Sequence, residues 1–258
     1  MTVEIGVILP TSTPDPSRPI LGDVRDSARY AEELGLDSVW STDHLIASAP
    51  MLDSSTVLAT AAAVTERITI GFNVMLLALR PAAWAAKQVG TLQLLSGNRL
   101  VLGIGTGNPA HGDAGWRAAG VEFADRGRLT DEALAVLPDL IAGQPTKLAD
   151  GNEVTLAPAA VIPPIFIGGN GPRAFRRAAR YGDGWATIAQ SPDEIRTSLA
   201  TINNLAAEYG RPPLRATVVA PQPDTPLAAY EEAGVQRVIL APTGDWRRDY
   251  EQAAALKS

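Results

Sequence analysis

The chain contains no cysteine, only two histidines, 5% aromatic residues, and lysine only at Lys87, Lys147 and Lys257. The missing cysteine excludes disulfides, thiolate nucleophiles, iron–sulfur clusters and cysteine-based zinc sites together. The scarcity of histidine weighs against a metal-dependent hydrolase. No H-x-H or H-x-x-x-H pair exists, so a site built from His44, His111, Asp43 and Asp113 would lean on carboxylates, and no metal is expected. The longest uninterrupted apolar stretch, Val74 to Leu79, falls far short of the ~20 residues of a membrane helix. Charged residues make up 19% and acids outnumber bases, giving a net charge of -6. That balance offers no basic footprint for a phosphate backbone, so neither nucleic acid nor membrane is an expected partner. The amino end, MTVEIGVILP, has no basic region and carries Glu4 inside its apolar run. It reads as a strand and not as a signal peptide, and a cytoplasmic protein is expected.

What is present is a regular alternation. The 258 residues, 46% hydrophobic, are enough for one large domain or two small ones. Short β-rich runs occur at Val3–Leu9, Asp37–Ser41, Ile68–Val74, Arg99–Ile104, Pro164–Gly168, Gly184–Ile188, Leu214–Val219 and Val235–Leu240. Helical periodicity follows each of them, at about 22–34, 53–64, 81–95, 125–142, 171–181, 191–208, 225–232 and 245–256. Eight strand–helix pairs in about 250 residues predict an α/β fold, a single (β/α)8 TIM barrel spanning 1–258. A doubly wound sheet would more usually carry a GxGxxG turn after the first strand, where this chain reads PTSTPDPSRP. Four helix-to-strand turns place a glycine, Gly35, Gly97, Gly182 or Gly234, where a left-handed cap is expected. The alternation is interrupted by modest excursions at about 105–124 and 145–164, and the second is expected to hold a small hairpin.

Barrel chemistry sits at the carboxyl ends of the strands. There, after the second strand, stands Ser41-Thr42-Asp43-His44, an imidazole able to titrate near neutrality beside a carboxylate. His111, in NPAHGDAG, falls on the same rim, but a solvated or capping role suits this loop histidine better than a functional one. After the fifth strand runs Gly168-Gly169-Asn170-Gly171-Pro172-Arg173. A glycine-rich turn into a helix exposes backbone N–H groups and the positive helix end, which is an anion site, and Arg173, Arg176, Arg177 and Arg180 adjoin it. The fourth strand ends in Gly103-Ile104-Gly105-Thr106-Gly107-Asn108, where alternating glycines admit a flat ligand, and the third ends in Asn73-Val74. Together these describe a pocket for a planar, phosphate-bearing cofactor.

The segments ARYAEELGLDSVWSTDHL, TERITIGFNVM, RPAAWAAKQVGTLQLLSGNRLVLGIGTG, GVEFADRGRLTDEAL, PPIFIGGNGPRAFRRAARYGDGWAT and YEEAGVQRVIL, in this order, resemble the luciferase-like monooxygenase family, particularly its coenzyme F420-dependent oxidoreductase branch. The resemblance implies a luciferase-like barrel holding F420, or alternatively FMN, above the second to fourth strands. Asp43 and His44 then match the acid–histidine pair at the reactive ring face and are the implied catalytic residues. Asn73 and Val74 match a non-prolyl cis peptide whose bulge backs the ring. Thr106, Gly107 and Asn108 match the rim near cofactor and substrate. Gly168, Gly169, Asn170, Gly171 and, more loosely, Arg173 match the phosphate site. The implied activity is hydride transfer between F420 and a small organic substrate. An FMN-dependent two-component monooxygenase and a non-catalytic flavin-binding protein are the alternatives on the same fold, and family members are commonly homodimers. The family's sugar-phosphate dehydrogenases carry a glutamate where this chain has Asn108, and a tryptophan where it reads Leu45-Ile46-Ala47-Ser48. The resemblance therefore does not extend to glucose 6-phosphate oxidation.

Overall fold

The computed structural model describes residues 3–13, 15, 17, 18 and 20–257. Strands β1 (Glu4–Ile8), β2 (Ser38–Ser41), β3 (Thr69–Leu76) and β4 (Leu100–Gly105) come first. A two-stranded antiparallel hairpin, β5 (Thr146–Lys147) with β6 (Glu153–Val154), occupies the second excursion, where the sequence places it. Strands β7 (Ile165–Gly168), β8 (Gly184–Ile188), β9 (Arg215–Val219) and β10 (Val235–Leu240) complete the set. All except the hairpin pair in parallel and close into an eight-stranded barrel in which β10 returns to β1.

The expected helices are α1 (Val24–Glu33), α2 (Ser54–Val64), α3 (Ala82–Leu95), α5 (Arg126–Ile141), α6 (Pro172–Tyr181), α7 (Pro192–Glu208), α8 (Leu227–Glu232) and α9 (Trp246–Ala255). The short α4 (Ala114–Ala118) and two 3-10 turns lie in the excursion after β4, where periodicity gave no sign of them.

Alternation along each strand sorts side chains between two cores. Ile5, Val7, Ile70, Leu102, Ile167 and Val238 bury against the helices, whereas Trp40, Val101, Val219 and Ile239, with Ile8 and Phe166, fill the barrel itself. Two aromatic rings fit inside a barrel this small because glycines stand opposite them. A Cβ at Gly71 would overlap the Trp40 ring, and one at Gly184 would overlap Phe166.

The lower turns are stapled by side chains that accept from strand-opening N–H groups. Asp37 accepts from Ile5 N at 2.7 Å and Asp183 from Ile165 N at 2.9 Å. Three of the four turn glycines are left-handed as expected, Gly35 at φ 72, Gly97 at φ 67 and Gly234 at φ 88. Gly182 is not. It is extended, at φ -89, and glycine is needed there because a Cβ would meet the Gly184 carbonyl oxygen at 2.9 Å.

Candidate functional site

Two long βα loops meet over the barrel mouth. The loop after β2 carries His44, that after β4 carries His111, and their rings lie 4.6 Å apart between centroids at 60°. Ser48 Oγ sits 3.3 Å from His111 Nδ1, and Gly115 packs so close to Ile46 that a Cβ would stand 3.0 Å from the Ile46 nitrogen. Leu45 and Ile46 expose apolar side chains on the same loop. Burial, and then the neighbouring His111, push the His44 imidazole below its ordinary value, with Asp43 pulling the other way.

Asp43 does something different from what its adjacency to His44 suggests. Only 4% exposed, its carboxylate accepts two N–H bonds from Arg80, Nη1 at 2.7 Å and Nη2 at 3.0 Å. It also accepts from Leu76 N at 2.9 Å and from the Ser54 hydroxyl at 2.9 Å. Both oxygens are thus engaged, and no bond to the His44 ring is among them. The carboxylate ties the His44 loop to the end of β3 and the start of α2. Arg80, in the unremarkable run LALRP, gave no sequence signal of this role.

The Asn73–Val74 peptide bond is cis. It coincides with the irregularity in β3, where the register against β4 slips between Phe72 and Met75. The bulge drives Val74 across the neighbouring strands. A Cβ at Gly105 would overlap Val74 Cγ2, and Cβ atoms at Gly103 and Gly168 would lie 3.3 and 3.2 Å from its Cγ1. Within GIGTG, Gly105 thus makes room for Val74, while a Cβ at Gly103 would first overlap the Phe72 carbonyl oxygen. Gly107 is left-handed, at φ 80, and faces Trp116. Asn108 turns its side chain back to cap the next residues, accepting from Ala110 N at 3.0 Å.

A cleft of about 1140 Å³ opens beside this rim. Thr106, Gly107, Gly168, Gly169, Asn170, Gly171 and Arg173 all line it, so seven of the expected cofactor residues are brought together. The loop after β7 is held from below. Trp185 Nε1 donates to the Gly169 carbonyl at 2.7 Å, and Gly169 N donates to Ala186 O at 3.1 Å. The Thr187 hydroxyl bridges the Asn170 and Gln190 side chains, fixing Asn170 over the opening. Helix α6 begins with Pro172 at its first turn and has no side-chain cap. The N–H groups of Arg173 and Ala174 consequently have no acceptor among the described residues, which leaves the positive helix end free for an anion.

Asp43, His44, Asn73, Val74 and Asn108 lie outside the lining of this cleft, on the barrel-mouth side of the site. The metal-hydrolase arrangement does not assemble. Asp43 is engaged by Arg80, Asp113 pairs with Arg117, and among the described residues no three histidines or carboxylates converge as a metal site.

The profile of the luciferase-like monooxygenases matches residues 3–253. The chain belongs to the luciferase-like monooxygenase family. An uncharacterised protein of Mycobacterium tuberculosis is 36% identical over 167 residues, covering 63% of this chain and 57% of that one. A 5,10-methylenetetrahydromethanopterin reductase of Methanolobus tindarius is 30% identical over 210 residues, 80% of this chain and 61% of that. This chain thus spans about three fifths of the length of these curated relatives. Among solved structures, an F420-dependent secondary alcohol dehydrogenase in complex with an F420–acetone adduct superimposes with a TM-score of 0.79 at 18% identity, over 100% of both chains. The oxygenating constituent of 3,6-diketocamphane monooxygenase from Pseudomonas putida, in complex with FMN, superimposes with a TM-score of 0.72 at 22% identity, over 85% of this chain and 67% of that one. At these identities the structures share the fold.

Proposed function

We propose that this family member is an oxidoreductase that moves hydride between coenzyme F420 and a small organic substrate. The observation that carries the reading is the glycine loop Gly168–Gly171, running into an uncapped α6, beside the cis Asn73–Val74 bulge. That pairing suits a planar ring joined to a phosphate, with the phosphate received by loop and helix N–H groups and by Arg173. When bound, the deazaflavin supplies the ring carbon that donates or accepts hydride. The chain's own residues do the rest. The Val74 bulge would back the ring, Asn170 is oriented by Thr187, Thr106 and Gly107 would border it from the cleft, and Asn108 would follow them on the rim. His44, held neutral at pH 7 by its burial, accepts the proton of a substrate hydroxyl or returns one to a carbonyl. Asp43 acts through position, anchoring the His44 loop through Arg80. The exposed Leu45 and Ile46 favour a substrate with an apolar portion. The named activities of the reductase and alcohol dehydrogenase relatives lend support to the deazaflavin choice.

The test is a titration of one preparation with F420 and with FMN, followed by fluorescence or calorimetry. Micromolar or tighter binding of F420 in preference to FMN is expected. Preference for FMN would move the assignment to the flavin-dependent monooxygenase alternative, and binding of neither would overturn the reading. The homodimer belongs to the same proposal, and a solution mass equal to one chain would refute it.

A further inference from the structure

In the reaction proposed above, oxidation of a substrate hydroxyl leaves two hydrogens to place. The C–H hydrogen departs with its electron pair for the bound ring, and the hydroxyl proton passes to His44, which then carries one proton more than it began with. That proton has to reach water before the next turnover, and in carbonyl reduction one has to arrive by the same way. Among the described residues the His44 imidazole forms no hydrogen bond or ion pair within the chain, and its ring contact is with His111, the only other histidine.

The neighbouring charged groups are engaged elsewhere. The charges acting on His44 are those of His111 and Asp43. Both Asp43 oxygens already accept bonds, from Arg80, Leu76 N and Ser54. Asp53 caps α2, accepting from Thr56 N at 2.8 Å, and Asp113 pairs with Arg117. His111 is different. Its Nδ1 lies 3.3 Å from Ser48 Oγ, and its other ring nitrogen has no partner among the described residues. It stands between the half-buried His44 and solvent, flanked by the exposed Ser48, Pro109, Ala110 and Gly112. Asn108 folds the turn that presents it, its side chain accepting from Ala110 N at 3.0 Å and its carbonyl from His111 N at 3.1 Å. The close approach of Gly115 to Ile46 holds the two loops, and so the two rings, together.

We propose that His111 is a proton relay for His44, carrying the proton between the barrel mouth and bulk water in each turnover. The proposal rests on the oxidoreductase reading above and adds the route that reading requires. An imidazole suits the task because it binds a proton at one nitrogen and releases one from the other, in a side chain that ordinarily titrates near neutrality. With centroids 4.6 Å apart, transfer is direct after a ring rotation or runs through one bridging water. An N–H bond breaks on His44 as one forms on His111, at the lone pair of the receiving nitrogen. Water or buffer then takes a proton from His111, and both rings end as they began.

With only two histidines in the chain, the relay is measurable without substrate or cofactor. Labelling histidine alone with a nitrogen isotope gives two sets of imidazole signals, assigned with His44→Asn and His111→Asn. Relaxation dispersion at the midpoint of the His44 titration then reads the rate at which that ring gains and loses its proton. In the native chain at low buffer this rate should hardly depend on added imidazole. In His111→Asn it should fall about tenfold and then rise in proportion to added imidazole, the free base replacing the missing side chain. His111→Gln is the second variant and should behave alike, with thermal melting and circular dichroism verifying that both fold. An unchanged exchange rate in these variants, or a native rate that climbs with imidazole as steeply as theirs, overturns the relay and leaves the oxidoreductase reading in place. Binding of neither F420 nor FMN in the titration above would instead strike that reading, and with it the turnover the relay serves.

Discussion

His44 and Asp43 are neighbours in the chain with separate surroundings, His44 beside His111 and Asp43 on Arg80. Burial and His111 depress the imidazole from its ordinary 6.5, so at pH 7 it is a proton acceptor. In the direction that oxidises an alcohol, activity should fall on the acid side with a midpoint below 6.5, and His44→Asn should lower kcat by about 10²-fold or more and abolish that limb. His111→Asn removes the like charge that assists the depression, so the limb should move to higher pH, which a kcat–pH profile would record. Stability follows the same sign. Below pH ~6.5 the unfolded chain takes a proton that the folded site resists, so stability falls through that window down to the folded value. Chemical denaturation should show a smaller loss between pH 7 and 5 in His44→Asn than in the native chain. For Asp43 the expected effect is on folding. Arg80→Met leaves a buried carboxylate without its cation and should cost about 3–5 kcal/mol, measured by denaturant unfolding.

At the scale of elements, loop geometry is enforced by groups far away in the chain. Arg99, opening β4, donates to the carbonyls of Ser96, Ile68, Ala62 and Thr65 and to the Thr65 hydroxyl, locking the turn between α2 and β3. Lysine has no fork to reach several carbonyls at once, so Arg99→Lys should destabilise by about 2 kcal/mol, visible as a lowered denaturation midpoint. In the loop after β7 Gly169 has φ 127, and a Cβ would meet Ala174 Cβ at 2.9 Å. Gly169→Ala should therefore shift the loop off the start of α6, lowering cofactor affinity about tenfold in the titration described above, with stability changed by about 1 kcal/mol.

Across the whole molecule, the barrel closes around two aromatic rings accommodated by glycines on neighbouring strands. Gly71→Val would force the Trp40 ring from its place and should cost about 1–3 kcal/mol by overpacking, read as a lower thermal midpoint. Strands and helices were legible because the alternation of period 2 and period 3.6 is imposed by which face each element buries, and that is written locally. The glycine turn into α6 was legible for the same reason, its glycines and Pro172 being consecutive. What spans the barrel was not. Arg80 reaches Asp43 from 37 residues away, and nothing local to either marks the pair. His111 comes to His44 only because two irregular loops fold over one mouth.

The sequence by itself determined the parallel barrel, the hairpin before β7 and the glycine turn that opens α6, since each rests on neighbours in the chain and on burial periodicity. Tertiary structure alone decided that the Asp43 carboxylate meets Arg80, that Gly105 clears space for Val74, that Gly182 is a close approach and not a left-handed cap, and that Arg126 and α6 face one another across a cleft. These depend on distances between strands, set when the barrel closes and the side chains are packed.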